Sequence, residues 1–463
     1  MLEKVKSKLN IVTFFIVFSA IWLTIMSFAV PISQTPDEFT HFINMMDLYG
    51  TPVYIHETTG TLYDDAELTT FNAEGVHPVN AEAYKKAGMQ RYEHKLKITD
   101  FKPSVSAVKF LPAAIGFYLG VLLRLPKLVC LQMAELFSAL FFIVLGAIAL
   151  KKAPFKKEVF LFTMLMPMTI QQCSSFNPDV IVIACSVLLT AWILDMKFRE
   201  GDVTWKDIIV LGLLSFEILI AKQIYVLLAA SIIIVPFSKY KLPIGKKFDL
   251  AEIIKKYKFV FIGILILMIA AVLFVTRDFY YFKVLYACML EPGRTLLLMR
   301  ATISNLYTYY EQTFVGCFGW LDVYVSYNYI TIFFIMMFYV GLFLKKEELD
   351  KYKQLKMWNR IVMVLIAVAI SVFVFLSMAT WSFELQDFDK YVDINTIRGY
   401  LFKITGLLGV QGRYFIPVIP MLLVPLGPGN ELKNKKTFYI IQGLFYLFSM
   451  YYVTKLVMFR YWG

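Results

Sequence analysis

The chain has 463 residues, of which 59% are hydrophobic and 17% charged, and its formal net charge is +12. A soluble protein of this size would have about a quarter of its residues charged and under half apolar, so the composition excludes an ordinary soluble enzyme. Nucleic-acid binding is not indicated either, because the lysines and arginines gather in short segments between apolar runs: 4–8, 151–157, 239–258, 345–360 and 433–436.

Many of the apolar runs approach the length that a helix needs to cross a hydrocarbon core of about 30 Å. Backbone polar groups must be paired inside lipid, so these runs should be helical. We predict an all-α polytopic membrane protein, a single integral domain over 1–463, with about eleven transmembrane helices (range roughly 10 to 13). The predicted spans are 11–30, 128–150, 159–169, 180–194, 208–220, 224–237, 259–275, 330–344, 361–380, 414–426 and 438–458.

The basic segments set the predicted orientation. Under the positive-inside rule all five face the cytoplasm, as does the N-terminus. The regions 31–104, 276–329 and 381–413 then face outward, and 276–329 should contain interfacial helices. The stretch 105–123 is either a further span or an interfacial helix. We favour the interfacial helix, because a crossing there would invert every later basic segment and because Lys109 and Pro112 interrupt the apolar run.

The outer loop 31–104 is acidic, with eleven Asp and Glu against six Lys and Arg, and it contains all four histidines. The spacing of His41, His56, His77 and His94 matches no metal-binding motif, so no metal site is predicted. No nucleotide-binding loop is present, which argues against an ATP-driven pump. The five cysteines form no Cys-x-x-Cys pair and are interpreted as packing residues.

The sequence Thr35-Pro36-Asp37-Glu38-Phe39-Thr40-His41 directly follows the first span. On a helix Asp37 and His41 share a face, so the motif could supply a general base or a metal site at the outer surface. A purely structural interpretation is also open: Thr35 and Glu38 form a capping-box pattern, and Pro36 suits a first helical turn.

Three further motifs lie at predicted outer helix ends. Asp179 in Asn177-Pro178-Asp179 begins a span, where it either caps the helix or serves a site. Lys222, in the sequence Lys222-Gln223-Ile224-Tyr225, and Arg413, in the sequence Gln411-Gly412-Arg413-Tyr414-Phe415, contradict the positive-inside trend. Either cation could bind phosphate oxygens, and Arg413 could do so bidentately, although snorkelling would also explain Lys222.

Taken in order, these motifs resemble a family of bacterial membrane proteins long labelled as of unknown function and related to class C (GT-C) glycosyltransferases. Leu111-Pro112, Ala221-Lys222-Gln223 and Gly319-Trp320-Leu321-Asp322 belong to the same ordered set. The resemblance implies a GT-C-like fold in the bacterial cytoplasmic membrane. It also implies an extracytoplasmic active site that transfers a sugar from a polyprenyl-phosphate carrier, such as undecaprenyl phosphate, to a cell-surface glycan, teichoic acid or similar acceptor.

In that resemblance Asp37 matches the essential acid after the first helix, and Asp179 falls where a second acid is common. We expect Asp37, Glu38 and Asp179 to be catalytic. The expected substrate-binding residues are His41, Lys222, Gln223, Tyr225, Gln411, Arg413 and Tyr414. No clear Asp-x-Asp metal pair appears among these motifs, so a divalent metal cofactor is not indicated. Two alternatives remain, a secondary transporter or flippase for lipid-linked glycans and a non-catalytic scaffold of cell-wall assembly.

Overall fold

The computed structural model describes residues 10–32, 34–50, 81–92, 96–240, 256, 280–384, 393–427 and 435–463. The α-helices among them are α1 Ile11–Ala29, α2 Glu38–Tyr49, α3 Ala81–Gly88, α4 Leu111–Leu122, α5 Lys127–Lys152, α6 Lys157–Met164, α7 Pro167–Cys173, α8 Asp179–Phe198, α9 Trp205–Ala221, α10 Tyr280–Leu290, α11 Pro292–Val315, α12 Tyr327–Leu342, α13 Leu349–Gln354, α14 Met357–Glu384, α15 Ile394–Leu401, α16 Ile419–Leu423 and α17 Lys435–Trp462. The longest 3₁₀ helices are Val105–Phe110, Gln223–Ile234 and Gly412–Val418. The strands β1 Cys317–Phe318 and β2 Val323–Tyr324 form an antiparallel hairpin.

Six helical segments in the described residues are long and apolar enough to cross a membrane. They are Ile11–Ala29, Val105–Leu122, Lys127–Lys152, Asp179–Phe198, Met357–Thr380 and Lys435–Trp462. Five of them coincide with the predicted spans 11–30, 128–150, 180–194, 361–380 and 438–458. The all-α membrane class is therefore confirmed, while the number of about eleven crossings stays a prediction.

The other predicted spans are shorter or irregular in the described part of the chain, and proline explains two of them. The run 159–169 is divided between α6 and α7, because Pro167 can begin a helix but has no N–H to continue one. The run 414–426 becomes a 3₁₀ helix and the short α16, with Pro417 and Pro420 inside it. The run 224–237 is also mostly 3₁₀, 208–220 and 330–344 lie in α9 and α12, and 259–275 lies outside the described residues.

The described parts of the basic segments meet at one end of the helix bundle, which we call the basic end. Here α5, α8 and α12 end and α1, α6, α14 and α17 begin. Ion pairs hold this end together: Lys152 with Asp195 at 2.9 Å, Lys345 with Glu158 at 2.8 Å and Lys435 with Glu347 at 2.5 Å. This gathering is what the positive-inside pattern predicts, although the assignment of this end to the cytoplasm remains a prediction.

At the opposite end, which we call the site end, the last turn of α17 contacts the end of α1 and the β-hairpin. Trp462 Nε1 donates a hydrogen bond to the carbonyl of Ala29 at 2.8 Å, at the end of α1. Arg460 Nε donates to Asp322 Oδ2 at 2.8 Å and so ties α17 to the β-hairpin, which contains the Gly319-Trp320-Leu321-Asp322 motif. These contacts give that motif a structural role.

The stretch 105–123 forms the 3₁₀ helix Val105–Phe110 and then α4, which packs closely along α5. The packing is antiparallel, because Gly116 lies against the backbone of Met133 whereas Gly120 lies against Cys130. Val105–Leu122 is long enough for a span, so its interfacial placement stays a prediction. Its start borders the site end, where a small cavity is lined by Lys109, Asn177 and other residues.

Candidate active site

The motif after α1 brings Asp37 to the site end in an unusual backbone conformation. Asp37 directly precedes α2 with φ of 66° and ψ of 0°, which is the left-handed region. Its exposed side chain makes no capping hydrogen bond, and Pro36 lies before the helix instead of in its first turn. Aspartate tolerates this conformation better than most residues do. The Asp37 carboxylate therefore does not cap α2, and a purely structural interpretation of the motif does not account for it.

Glu38, in contrast, is buried and has a structural role. Its Oε2 accepts a hydrogen bond from the Thr35 backbone at 3.3 Å, which is half of the predicted capping box. Its Oε1 accepts one from the Phe176 backbone at 3.2 Å, so the side chain joins the start of α2 to the loop before α8. The buried carboxyl of Glu135 on α5 also hydrogen bonds to Glu38. The sequence analysis did not select Glu135, although a single acid within an apolar run is a usable signal.

Asp179 and Lys222 form a direct ion pair at the site end. Asp179 is the first residue of α8, but the helix cap is provided by Asn177, whose Oδ1 accepts a hydrogen bond from the Asp179 backbone at 2.8 Å. The Asp179 carboxylate is therefore available to Lys222, the residue that follows α9. The Lys222 ammonium also lies 4.4 Å from the centre of the Tyr414 ring, within the range of a cation–π contact.

Arg413 is 4% exposed and lies in the same cluster. Its Nη1 donates to Gln172 Oε1 at 3.3 Å, and this oxygen also accepts from Asn177 at 2.6 Å. Neither Arg413 Nε nor Gln172 Nε2 has a hydrogen-bond partner among the described residues. Buried polar nitrogens are usually paired, so these two donors are available to an anion that enters the site.

Gly412 explains how Arg413 comes so close to α11. A Cβ at this position would lie 2.1 Å from the Tyr310 carbonyl oxygen, and the Gly412 backbone donates to Thr313 Oγ1 at 2.7 Å. Only glycine fits this close approach of the backbone to α11. The glycine therefore has a packing role, and it places Arg413 directly beside the helix.

The pKa of His41 is affected by the charged groups of the cluster. Burial lowers the pKa of His41 to about 4; the charges of Asp179 and Asp37 act to raise this pKa, and those of Lys222 and Lys109 act to lower it. The imidazole is therefore neutral at pH 7. Asp179 and Asp37 also act electrostatically on Arg413. The structure thus brings Asp37, His41, Asp179, Lys222 and Arg413 into one cluster, which we call the site cluster.

The remaining predicted residues have different roles. Tyr225 is buried and donates a hydrogen bond to the Tyr414 carbonyl at 2.7 Å, which joins the two motifs. Gln411 has a buried Oε1 with no partner in the described part of the chain, whereas Gln223 is exposed. His56, His77 and His94 lie outside the described residues.

Lys109 is a cation of the cluster that the sequence analysis did not select. It is half-buried, acts on the pKa of His41, and has no ion-pair partner among the described residues. It lines a cavity of only about 10 Å³ together with Asn177 and Ser138. Its presence inside an apolar stretch was a usable signal, since a lone lysine in such a run either snorkels or serves a site.

The cluster can take up a proton and hold an anion at the same place. Asp37 offers an exposed carboxylate. Lys222 and Lys109 offer positive charge that acts on the imidazole of His41, and Arg413 offers positive charge on which Asp37 and Asp179 act. Across the described residues, no group of three or more His, Cys, Asp or Glu side chains could hold a metal ion. An exposed carboxylate beside several cations can accept a proton and can hold an anion.

Comparison with known proteins places the chain in a family but gives it no function. The family model described as "Predicted membrane protein (DUF2142)" matches residues 18–422, which is most of the chain, so the protein belongs to that family. No curated protein and no solved structure matches.

Proposed function

We propose that this DUF2142 protein is a glycosyltransferase that moves a sugar from a polyprenyl-phosphate carrier to a cell-surface glycan, teichoic acid or similar acceptor. The single observation that supports the proposal most is the convergence of the exposed Asp37 carboxylate with Arg413 and Lys222 at one end of the helices. These three residues come from three separate segments of the chain, and each lies at a helix end, which suits a reaction at a membrane surface.

In the proposed reaction Asp37 accepts the proton of the acceptor hydroxyl as the new bond to the sugar C1 forms. The bond between C1 and the phosphate oxygen breaks, and the polyprenyl phosphate leaves as an anion. Arg413, with its unpartnered Nε, and Lys109 would hold this phosphate. Phosphate leaves as a stable anion, so no second carboxylic acid is needed to protonate it, in contrast to a glycosidase.

Lys222 would contribute only after a rearrangement. It is paired with Asp179, so its ammonium would have to leave this carboxylate before it could bind a phosphate. Asp179 would then be free to orient the sugar or the acceptor. In the proposed setting the site end faces outward from a bacterial cytoplasmic membrane.

The test is sugar transfer by the purified protein in liposomes. Polyprenyl-phosphate sugars labelled in the sugar would be supplied with surface glycan acceptors, and transfer would be followed by label in the acceptor. Asp37→Asn should reduce the rate by about a hundredfold or more, because the amide cannot accept the proton. Asp47→Asn is the matched control, since Asp47 is also exposed on α2. An unchanged rate in Asp37→Asn would remove Asp37 from the mechanism, and no transfer from any such donor would refute the proposed activity.

A further inference from the structure

A second cavity lies at the basic end, away from the site cluster. Its volume is about 500 Å³, within the range of small-molecule sites. It opens where α1 and α17 begin, and both helices are long and apolar enough to cross a membrane. The cavity is bounded by the first turn of α1 and by the first three turns of α17, so in a membrane it would extend from the level of the lipid headgroups toward the acyl chains.

The lining of this cavity is amphipathic. Phe14, Leu161 and Tyr446 provide apolar walls. The amide of Gln442, which is 2% exposed, lies within it and donates a hydrogen bond to Tyr446 Oη at 2.9 Å. Tyr439, which is partly exposed, also lines the cavity. An apolar wall with a few convergent polar groups fits a molecule that has both a polar and an apolar part.

The charged groups of the lining are of both signs and close together. Lys345 Nζ lies 2.8 Å from Glu158 Oε1 and 3.0 Å from Glu348 Oε1, and Tyr439 Oη donates to the same Glu158 oxygen at 2.8 Å. A ligand with charge of one sign would attract one member of the Lys345–Glu158 pair and repel the other. A ligand that has an ammonium and a phosphate can match both, because each of its charges meets the opposite charge in the lining.

We propose that this cavity binds the headgroup of a zwitterionic membrane phospholipid. The phosphate lies toward Lys345, the ammonium lies toward Glu158, and the first acyl methylenes lie against Phe14 and Leu161. The bound lipid stabilises the junction of α1, α6 and α17. This site is separate from the proposed transferase chemistry, because it lies at the opposite end of the helices.

Gly443 provides a way to fill the cavity without disturbing its charges. It lines the cavity, and a Cβ built on it meets no atom within 4 Å. Gly443→Leu should therefore occupy lipid space and leave Lys345 and Glu158 in place. Gly212→Leu is the matched control: Gly212 lies in α9, a Cβ there also meets nothing within 4 Å, and the gain in helix propensity is the same.

The experiment measures thermal unfolding of delipidated protein in detergent, with phosphatidylethanolamine or phosphatidylglycerol of identical acyl chains added at equal mole fraction. Phosphatidylethanolamine should raise Tm by several degrees more than phosphatidylglycerol in the unaltered protein and in Gly212→Leu. The difference should vanish in Gly443→Leu. Tyr439→Phe, which removes only the hydroxyl, should reduce it and provides the test if Gly443→Leu does not fold. An equal or larger shift with the anionic lipid would overturn the proposal, as would a full difference in Gly443→Leu or, where that variant does not fold, in Tyr439→Phe.

Discussion

Both ends of the helix bundle contain clusters of charged residues, but they differ in how completely the hydrogen bonds of these residues are formed within the protein. At the basic end the buried Lys156 ammonium donates to the carbonyls of Gly341 at 2.7 Å, Leu423 at 3.3 Å and Leu426. At the site end the guanidinium of Arg413 donates to Gln172 and also hydrogen bonds to the side chain of Tyr414, but its buried Nε has no partner in the described residues.

This difference separates a structural cluster from a candidate site. Charged groups that only hold helices together are expected to have their hydrogen bonds completed within the protein, since an unpaired buried donor costs about 1–3 kcal/mol. The unpartnered donors of Arg413 and Gln172 carry that cost and need another explanation. A ligand that completes these hydrogen bonds provides it. The basic end should therefore determine stability and the site end activity.

The sharpest test of this comparison is Arg413→Lys, which keeps the charge but removes the planar set of donors. The rate of transfer should fall by about a hundredfold and the KM for the donor should rise, because bidentate binding of phosphate is lost. Kinetics at varied donor concentration would measure it. Arg360→Lys at the basic end, where Arg360 donates to the Leu355 carbonyl at 2.8 Å, is the control and should keep its activity. If both variants lose activity equally, the two ends do not differ as described.

Lys156→Met tests the opposite end. The substitution removes a donor from three carbonyl oxygens near the ends of α12 and α16, of which that of Leu423 keeps the Leu426 N–H at 3.2 Å. The free energy of unfolding should fall by about 3 kcal/mol, whereas the transfer rate of the folded fraction should remain. Unfolding by titration with SDS in mixed micelles measures the first quantity. A stability change below about 1 kcal/mol would show that this lysine is not a structural donor.

Substitutions of Glu135 test whether its hydrogen bond to Glu38, next to the site cluster, contributes to stability. Glu135→Gln keeps a side chain that can donate a hydrogen bond to Glu38, whereas Glu135→Leu removes this hydrogen bond. We expect the leucine variant to lose about 2 kcal/mol of unfolding free energy and the glutamine variant to lose little. Equal losses in both variants, in the same SDS titration, would mean that the hydrogen bond to Glu38 contributes nothing.

The smallest expected effect is on the pH dependence of stability. His41 has its pKa lowered from 6.5 to about 4 by burial, so the unfolded chain binds a proton in this pH interval that the folded chain does not. Stability should therefore fall as the pH is lowered from 7 to 5, by at most about 2 kcal/mol from this residue. His41→Gln should lack that part of the decrease. The difference between the two SDS-unfolding curves measures it, and parallel curves would contradict the low pKa.

Much of the architecture follows from residue patterns, as the five long apolar runs that coincide with candidate spans demonstrate. Proline positions explain where irregular structure begins in two runs that the sequence analysis predicted as continuous spans, 159–169 and 414–426: Pro167 starts α7, and Pro417 lies in a 3₁₀ segment. The type of helix that the short runs form could not be predicted, because a run such as 224–237 has an apolar composition that suits an α-helix and a 3₁₀ helix alike. Only packing against α8, α9 and α14 distinguishes the two.

For the candidate site, the ordered motifs predicted the main charged residues but not their partners. Asp37, Asp179, Lys222 and Arg413 were selected because each breaks an apolar or charge pattern near a helix end. Glu38 was selected with them, although its contacts join backbone segments. Gln172 was not selected, because nothing in its local sequence differs from an ordinary helix, and Glu135 was not selected although it is a lone acid in an apolar run. Their roles depend on side chains far away in sequence, and only folding reveals such neighbours.

The left-handed backbone of Asp37 restricts how a mutational survey of this position can be interpreted. Most side chains would add about 1–2 kcal/mol of steric strain here, so an inactive variant could reflect either a shifted chain or a missing carboxylate. Asparagine and glycine adopt this conformation readily, one retaining the shape of the side chain and the other removing it. These two replacements alone separate the chemistry of the residue from its geometry, and a survey that omits them cannot do so.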